Sequence, residues 1–386
     1  MLSVAPAGDR GSARGASGGE MKLLKLEAMR GFAALYVVLH HVVPHDLTFQ
    51  GIEVGHLFRF GQEAVILFFL VSGFVINYSY TMGRDKSFGL YFFNRATRIY
   101  IPLLVIYVMG YAIECFRVAG LADPKLKDLL LNVLMLQDMA ALKPNVIVSS
   151  YMHNTPLWSL SYEWWFYMLF FPIVTIIKTP RTAGYLVFGL SIAAALLYVV
   201  WPTFAPRLLM YMAIWWAGAH LAQAYMDKAG RIGLKDFLAP VAAIGTICAV
   251  LAVDNLLHRA AGGALTFGVH PFLELRHFAF SLVVLVGAYV WMKARWVLFD
   301  RVFGLFALAA PISYSVYISH KYLVANATYL AFLNSPILEF VLYSAVMVAF
   351  CIALEIYFYP WVRRALRPMV FRQAAESQSA SGRNTG

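Results

Sequence analysis

The chain has 386 residues, of which 61% are hydrophobic and only 13% charged, which excludes an ordinary soluble domain and points to a multi-pass membrane protein. Its net charge of +11 does not call for a nucleic-acid surface, because the basic residues gather in alternate connecting segments, as membrane topology dictates. Cys115, Cys248 and Cys351 all fall within or beside apolar spans, where they serve as small packing residues rather than a disulfide framework or a metal site.

Residues 1–21 are rich in Gly, Ala and Ser and lack a signal-peptide core, so they are expected to form a flexible tail, with Met21 as an alternative start. A spanning helix needs about 20 mostly apolar residues. Ten candidates follow, at 26–44, 62–82, 99–119, 157–177, 183–202, 207–226, 237–257, 277–293, 311–333 and 337–360. With a cytoplasmic N-terminus, the inside segments hold 21 Lys and Arg against eight outside, so both termini are expected in the cytoplasm. Residues 366–386 form a second polar tail.

The first span, "LEAMRGFAALYVVLHHVVP", contains Arg30 and His41. Ionisable residues at a membrane helix centre cost about 2.5–3.5 kcal/mol each, so a functional role is their default reading. Eleven residues make roughly three helical turns, which puts the two side chains on one face about 16 Å apart along the axis. His40, one residue away, points off that face, so geometry favours His41 as the base.

Span two carries Ser72 and Gly73 in "FFLVSGFVI". A small residue permits close helix approach and the hydroxyl can bond across it. Just before span three, "FFNRATRIYIP" places Arg95 and Arg98 three residues apart. Paired guanidinium groups at a helix mouth suit phosphate recognition, although cytoplasmic arginines also simply obey the positive-inside rule. The loop at 120–156 holds one apolar patch, "LLLNVLML", expected to lie at the interface.

Span four opens "TPLWSLSYEWWFYMLFFP", in which Ser159, Glu163 and Tyr167 recur every four residues as a polar stripe. The carboxylate of Glu163 needs a partner, and a depth similar to that of His41 makes it the expected orienter of that imidazole. Trp158 directly precedes the stripe, and tryptophans there also serve as interfacial anchors. Span nine reads "PISYSVYISHKYL", with Ser313, Tyr317 and His320 close to one face. Spans five to eight and ten contain few polar groups and are expected to be scaffold.

Taken in order, "LEAMRGFAALYVVLHH", "FFLVSGFVI", "RATR", "LWSLSYEWWFY" and "ISYSVYISH" resemble the acyltransferase 3 family of integral membrane proteins, which acylate bacterial surface glycans and some small molecules. The resemblance covers about residues 22–365, expected to form one transmembrane acyltransferase domain. It implies an all-α polytopic protein of the bacterial cytoplasmic membrane that moves an acyl group, acetyl or else succinyl, from cytoplasmic acyl-CoA to a hydroxyl on the far side. His41 would be the catalytic base or acyl carrier, with Glu163 beside it, and Arg30, Arg95 and Arg98 would hold the coenzyme. Ser72, Trp158, Ser159, Tyr167, Tyr317 and His320 would line the substrate path. Acyl-CoA enters as co-substrate, with no permanently bound cofactor and no metal, and the acceptor is an exopolysaccharide or lipid-linked oligosaccharide. The sequence departs from the family pattern at His40 and Ser319, where apolar residues are common. A small-molecule acceptor is an alternative. So is a glycan transporter, although the polar groups cluster before residue 168 and at 313–321 without the two-halved symmetry transporters often show.

Overall fold

A computed structural model describes residues 13–383, with side chains from 24 to 371. The outermost parts of both expected tails, 1–12 and 384–386, lie outside the described residues. The described part is almost wholly helical.

Helix α1 spans Ala13–Val42, so it begins well inside the segment expected to be a tail. No proline interrupts residues 7–43, and Ala, Met, Leu, Lys and Glu are strong helix formers. The helix stops two residues before Pro44, whose ring disfavours helix at the preceding position. Helices α2 (Gly61–Met82) and α3 (Phe88–Arg117) follow. The short α4 (Leu126–Val133) buries Asn132 while Leu126 and Leu130 face outward, and Met135 of the same apolar patch is buried. Two two-residue strands, β1 (Gln137–Asp138) and β2 (Val148–Ser149), pair in parallel within the loop that leads to α5 (Trp158–Ile176). Helices α6 (Pro180–Val200), α7 (Phe204–Asp227), α8 (Leu234–Ala260) and α9 (Phe272–Lys293) follow, and against the expectation of few polar groups there, Arg207, Glu274 and His277 are fully buried.

The ninth span differs from expectation. Its apolar helical run covers 299–325, not 311–333, and consists of α10 (Phe299–Phe303), a 3-10 segment (Gly304–Ile312), α11 (Ser313–His320) and a π-helical turn (Lys321–Ala325). Its first part carries the charged pair Asp300 and Arg301, and the exposed Asp300 carboxylate holds Lys25 of α1 at 2.6 Å. Pro311 removes one helical hydrogen bond where the 3-10 segment meets α11. The last span is α12 (Pro336–Ile352), a π-helical turn at Ala353–Phe358, and α13 (Tyr359–Arg383), which continues through most of the expected C-terminal tail.

Seven helical segments among the described residues are long and apolar enough to cross a bilayer. Helices α1, α5 and α7, at 30, 19 and 24 residues, are long enough, but their charges and polar aromatics dilute the hydropathy. The chain is an all-α, multi-pass membrane protein.

Glycine sets the closest approach in the bundle. A Cβ on Gly73 of α2 would lie 1.8 Å from the Trp215 carbonyl oxygen of α7, and one on Gly218 of α7 would lie 1.9 Å from the Leu70 carbonyl oxygen of α2. The two helices therefore press together reciprocally at backbone distance, as small residues allow in lipid. Gly73→Val is expected to cost about 3 kcal/mol through overpacking and to lower the thermal midpoint of purified protein. Gly189→Ala, where nothing lies within 4 Å of the new methyl group, should leave the midpoint unchanged.

Candidate active site

Arg30 and His41 both face α11, as their spacing requires. Arg30 Nη2 donates to Ser313 Oγ at 3.3 Å, and His41 Nδ1 lies 3.3 Å from His320 Nε2. They nevertheless open into different cavities. Arg30 lines one of about 150 Å³ toward the end of the bundle where α1 begins, together with Ser72, Arg95, Arg98, Ser159, Glu163 and Tyr167. His41 lines another of about 380 Å³ at the opposite end, with His40, Gln62, Ser150, Thr155 and Trp158. Tyr317 belongs to both walls. Its hydroxyl donates to the Pro156 carbonyl, which can only accept, so the Ser159 hydroxyl at 2.8 Å must donate to Tyr317. This pair forms the partition between the cavities.

The imidazole of His41 is fixed from one side. Its Nδ1 is 2.9 Å from the Val37 carbonyl, so that nitrogen carries the hydrogen and Nε2 keeps its lone pair. His320 is fully buried behind it, held by its own Nδ1 against the Tyr317 carbonyl at 2.8 Å. With that hydrogen committed, the His320 Nε2 lone pair faces the N–H of His41. His320 thus lies outside the cavity wall and is a positioning residue for His41 instead of the path-lining group expected from sequence.

Glu163 is not beside His41, which overturns the expected orienting role. Its carboxylate accepts hydrogen bonds from Ser72 Oγ at 2.9 Å and from the Tyr167 hydroxyl, and it shares the cavity of the three arginines. The Trp215 indole N–H donates to Ser72 Oγ at 3.2 Å and completes the chain. The cause is the loop before α5. Met135, Gln137, Asp138 and Lys143 are all buried, so this loop folds into the protein and α5 begins deeper than its sequence position implies. Trp158, the first residue of α5, is accordingly no interfacial anchor; it is 3% exposed, beneath the Lys143 ammonium at 3.9 Å and stacked on His277.

Arg95 and Arg98 have different surroundings. Arg95 stacks near the rings of Tyr91 and Tyr167, and its buried Nε has no hydrogen-bond partner among the described residues. Buried polar atoms are normally satisfied, so an orphan N–H on a cavity wall marks a place for a ligand acceptor. Arg98 instead forms an ion pair with Glu355 of the last span, which is 1% exposed and also accepts from Ser315 Oγ at 2.9 Å. Glu355 was not among the site residues expected from the sequence. The signal was present, since a lone carboxylate in the apolar run "FCIALEIYFYP" is an intramembrane charge and a functional candidate by default.

A second missed group anchors the loop over the His41 cavity. Asp138 pairs with Lys143 at 2.9 Å and Arg207 at 3.1 Å and accepts from the Tyr162 hydroxyl, all fully buried. Burial pulls the Lys143 ammonium down to about 8, against the opposing attraction of Asp138. Ser150 of the same loop lines the cavity with its hydroxyl buried and unpartnered.

Comparison with known proteins now adds to this geometry. The acyltransferase 3 family model, described as an acyltransferase domain, matches residues 23–356. The chain belongs to this family. It is also 34% identical over 160 residues to acyltransferase MdmB of Streptomyces mycarofaciens, a match covering 39% of this chain and 38% of that relative. No solved structure matches the chain. Among the described residues, an arginine-lined and a histidine-lined cavity of this family member meet at Tyr317.

Proposed function

We propose that the protein is an acyl-CoA-dependent O-acyltransferase of the bacterial cytoplasmic membrane. It transfers an acetyl or succinyl group to a hydroxyl of an exopolysaccharide or lipid-linked oligosaccharide on the extracytoplasmic side. The observation that carries this reading is the division of one helix face between two cavities. Arg30 serves the cavity at the basic end of the bundle, and His41 serves the other. In the proposed topology α1, α5 and α7 also span, which makes ten crossings with both termini cytoplasmic. The arginine cavity then opens to the compartment where acyl-CoA is made.

In this reading Arg95 and Arg98 grip the coenzyme phosphates by charge-assisted bonds, and the pantetheine arm runs past Ser72 and Tyr167 to bring the thioester to Tyr317. The acceptor hydroxyl enters the His41 cavity beside Ser150. His41 Nε2 takes the hydroxyl proton as the oxygen attacks the thioester carbonyl carbon. The C–S bond breaks, the ester forms, and the coenzyme thiolate leaves with the proton returned by the imidazolium. The narrow partition limits water, and so hydrolysis of the thioester.

The test is expression in a host lacking the gene, with mass spectrometry of ester-linked acyl groups on its surface glycans. Wild type should add a single acyl mass to a defined sugar. Unmodified glycans with altered export would favour a transporter instead, and acylated metabolites with unmodified glycans would replace the glycan acceptor with a small molecule.

A further inference from the structure

Away from both catalytic cavities, α2, α5, α6, α7 and α8 enclose a third space of about 400 Å³ that shares no lining residue with the Arg30 cavity. Its walls carry Lys86, Lys178, Arg181, Lys228 and Lys235 against only Asp227 and Asp236. Both acids are engaged: Asp236 accepts from Lys228 at 2.5 Å and from the Gly233 N–H at 2.8 Å, and Asp227 accepts from Gln223 at 2.8 Å. Lys178, Arg181 and Lys235 have no ion-pair partner among the described residues. Deeper in the wall lies the ring of Trp216, a residue only 4% exposed. Cations obeying the positive-inside rule need not gather around one cavity; here five of them line the same one.

The cavity's flank identifies the ligand. Tyr185 lines it and is 60% exposed, and the neighbouring Ile176, Leu186 and Leu238 are also exposed apolar residues on the bundle's outside. A soluble phosphate would satisfy the cations without using this opening toward the lipid side. A phospholipid would put its phosphate among the cations and its acyl chains past Tyr185 into the surrounding bilayer. We propose that this cavity binds the phosphodiester head group of an anionic phospholipid. The proposal depends on the topology above only for which leaflet supplies the lipid, and it does not depend on acyl transfer.

Native mass spectrometry of the full chain, extracted from bilayers of equal phosphatidylglycerol and phosphatidylcholine, tests it. Wild type should retain phosphatidylglycerol about tenfold over phosphatidylcholine. The triple variant Lys178→Ala, Arg181→Ala, Lys235→Ala should lose that preference. Ala239→Phe, which fills the cavity wall but keeps every cation, should lose it too, provided the protein stays monodisperse. Arg295→Ala with Arg301→Ala, outside the cavity, should keep it. Equal retention of both lipids, retention by Ala239→Phe, or loss in the Arg295/Arg301 control would overturn the proposal. Displacement of the lipid by excess inorganic phosphate would also overturn it, assigning the cavity to a soluble phosphate.

Discussion

His41→Ala is expected to abolish acyl transfer, a loss of about 10²–10⁴-fold for a general base, while His40→Ala keeps most of the activity. Both histidines line the same cavity, so proximity alone does not separate them. Their hydrogen bonds do. His40 is held through Nδ1 by the Phe58 carbonyl at 2.7 Å, and its ring lies against Gly61, where an added Cβ would come within 2.3 Å of it. It packs the link between α1 and α2. His41 alone contacts His320 and faces α11, the helix that also meets Arg30. His320→Ala should give an intermediate loss together with a shifted pH profile, because the imidazole of His41 keeps its carbonyl anchor but loses the neighbouring ring. The measurement is ester formation on purified glycan acceptor across pH. An active His41→Ala variant would remove this residue from the chemistry, and a His320→Ala variant with an unchanged pH profile would reduce its role to packing.

How far the site could be read from sequence depended on whether the governing constraint was local. The shared face of Arg30 and His41 follows from helical period alone, and the structure keeps it. Ser72 and Gly73 were legible for the same reason, and each makes a cross-helix contact. Glu163 was misplaced because its depth is set by a loop that folds inward, and that loop is held by Asp138, Lys143 and Arg207, the last of them 69 residues beyond Asp138 in the chain. A hydropathy pattern does not show whether a polar loop lies on the surface or buries its charges in pairs. The ninth span slipped for a related reason: Lys25, the mostly buried partner in its ion pair with Asp300, lies 275 residues earlier in the chain. Glu355 was visible as an isolated carboxylate, but its meaning required Arg98 at a separation of 257 residues.

Glu355→Ala is expected to be among the most damaging substitutions outside His41, and for a different reason. It leaves the Arg98 guanidinium without its counter-charge and the Ser315 hydroxyl without its acceptor. Breaking a buried pair by removing one partner typically costs 3–5 kcal/mol. The guanidinium here is 29% exposed toward the cavity, so about 3 kcal/mol, the low end, is expected as a fall in thermal midpoint. Removing both partners, Arg98→Ala with Glu355→Ala, should recover much of that stability because no charge is stranded. It should not recover acyl transfer if Arg98 grips the donor. The two readouts therefore separate: stability follows the balance of charge between α3 and the last span, whereas acyl-CoA affinity follows Arg98 itself. A double variant that is stable and binds acyl-CoA like wild type would make the pair a structural brace, and would leave Arg95, with its unpartnered Nε, as the cation facing the coenzyme.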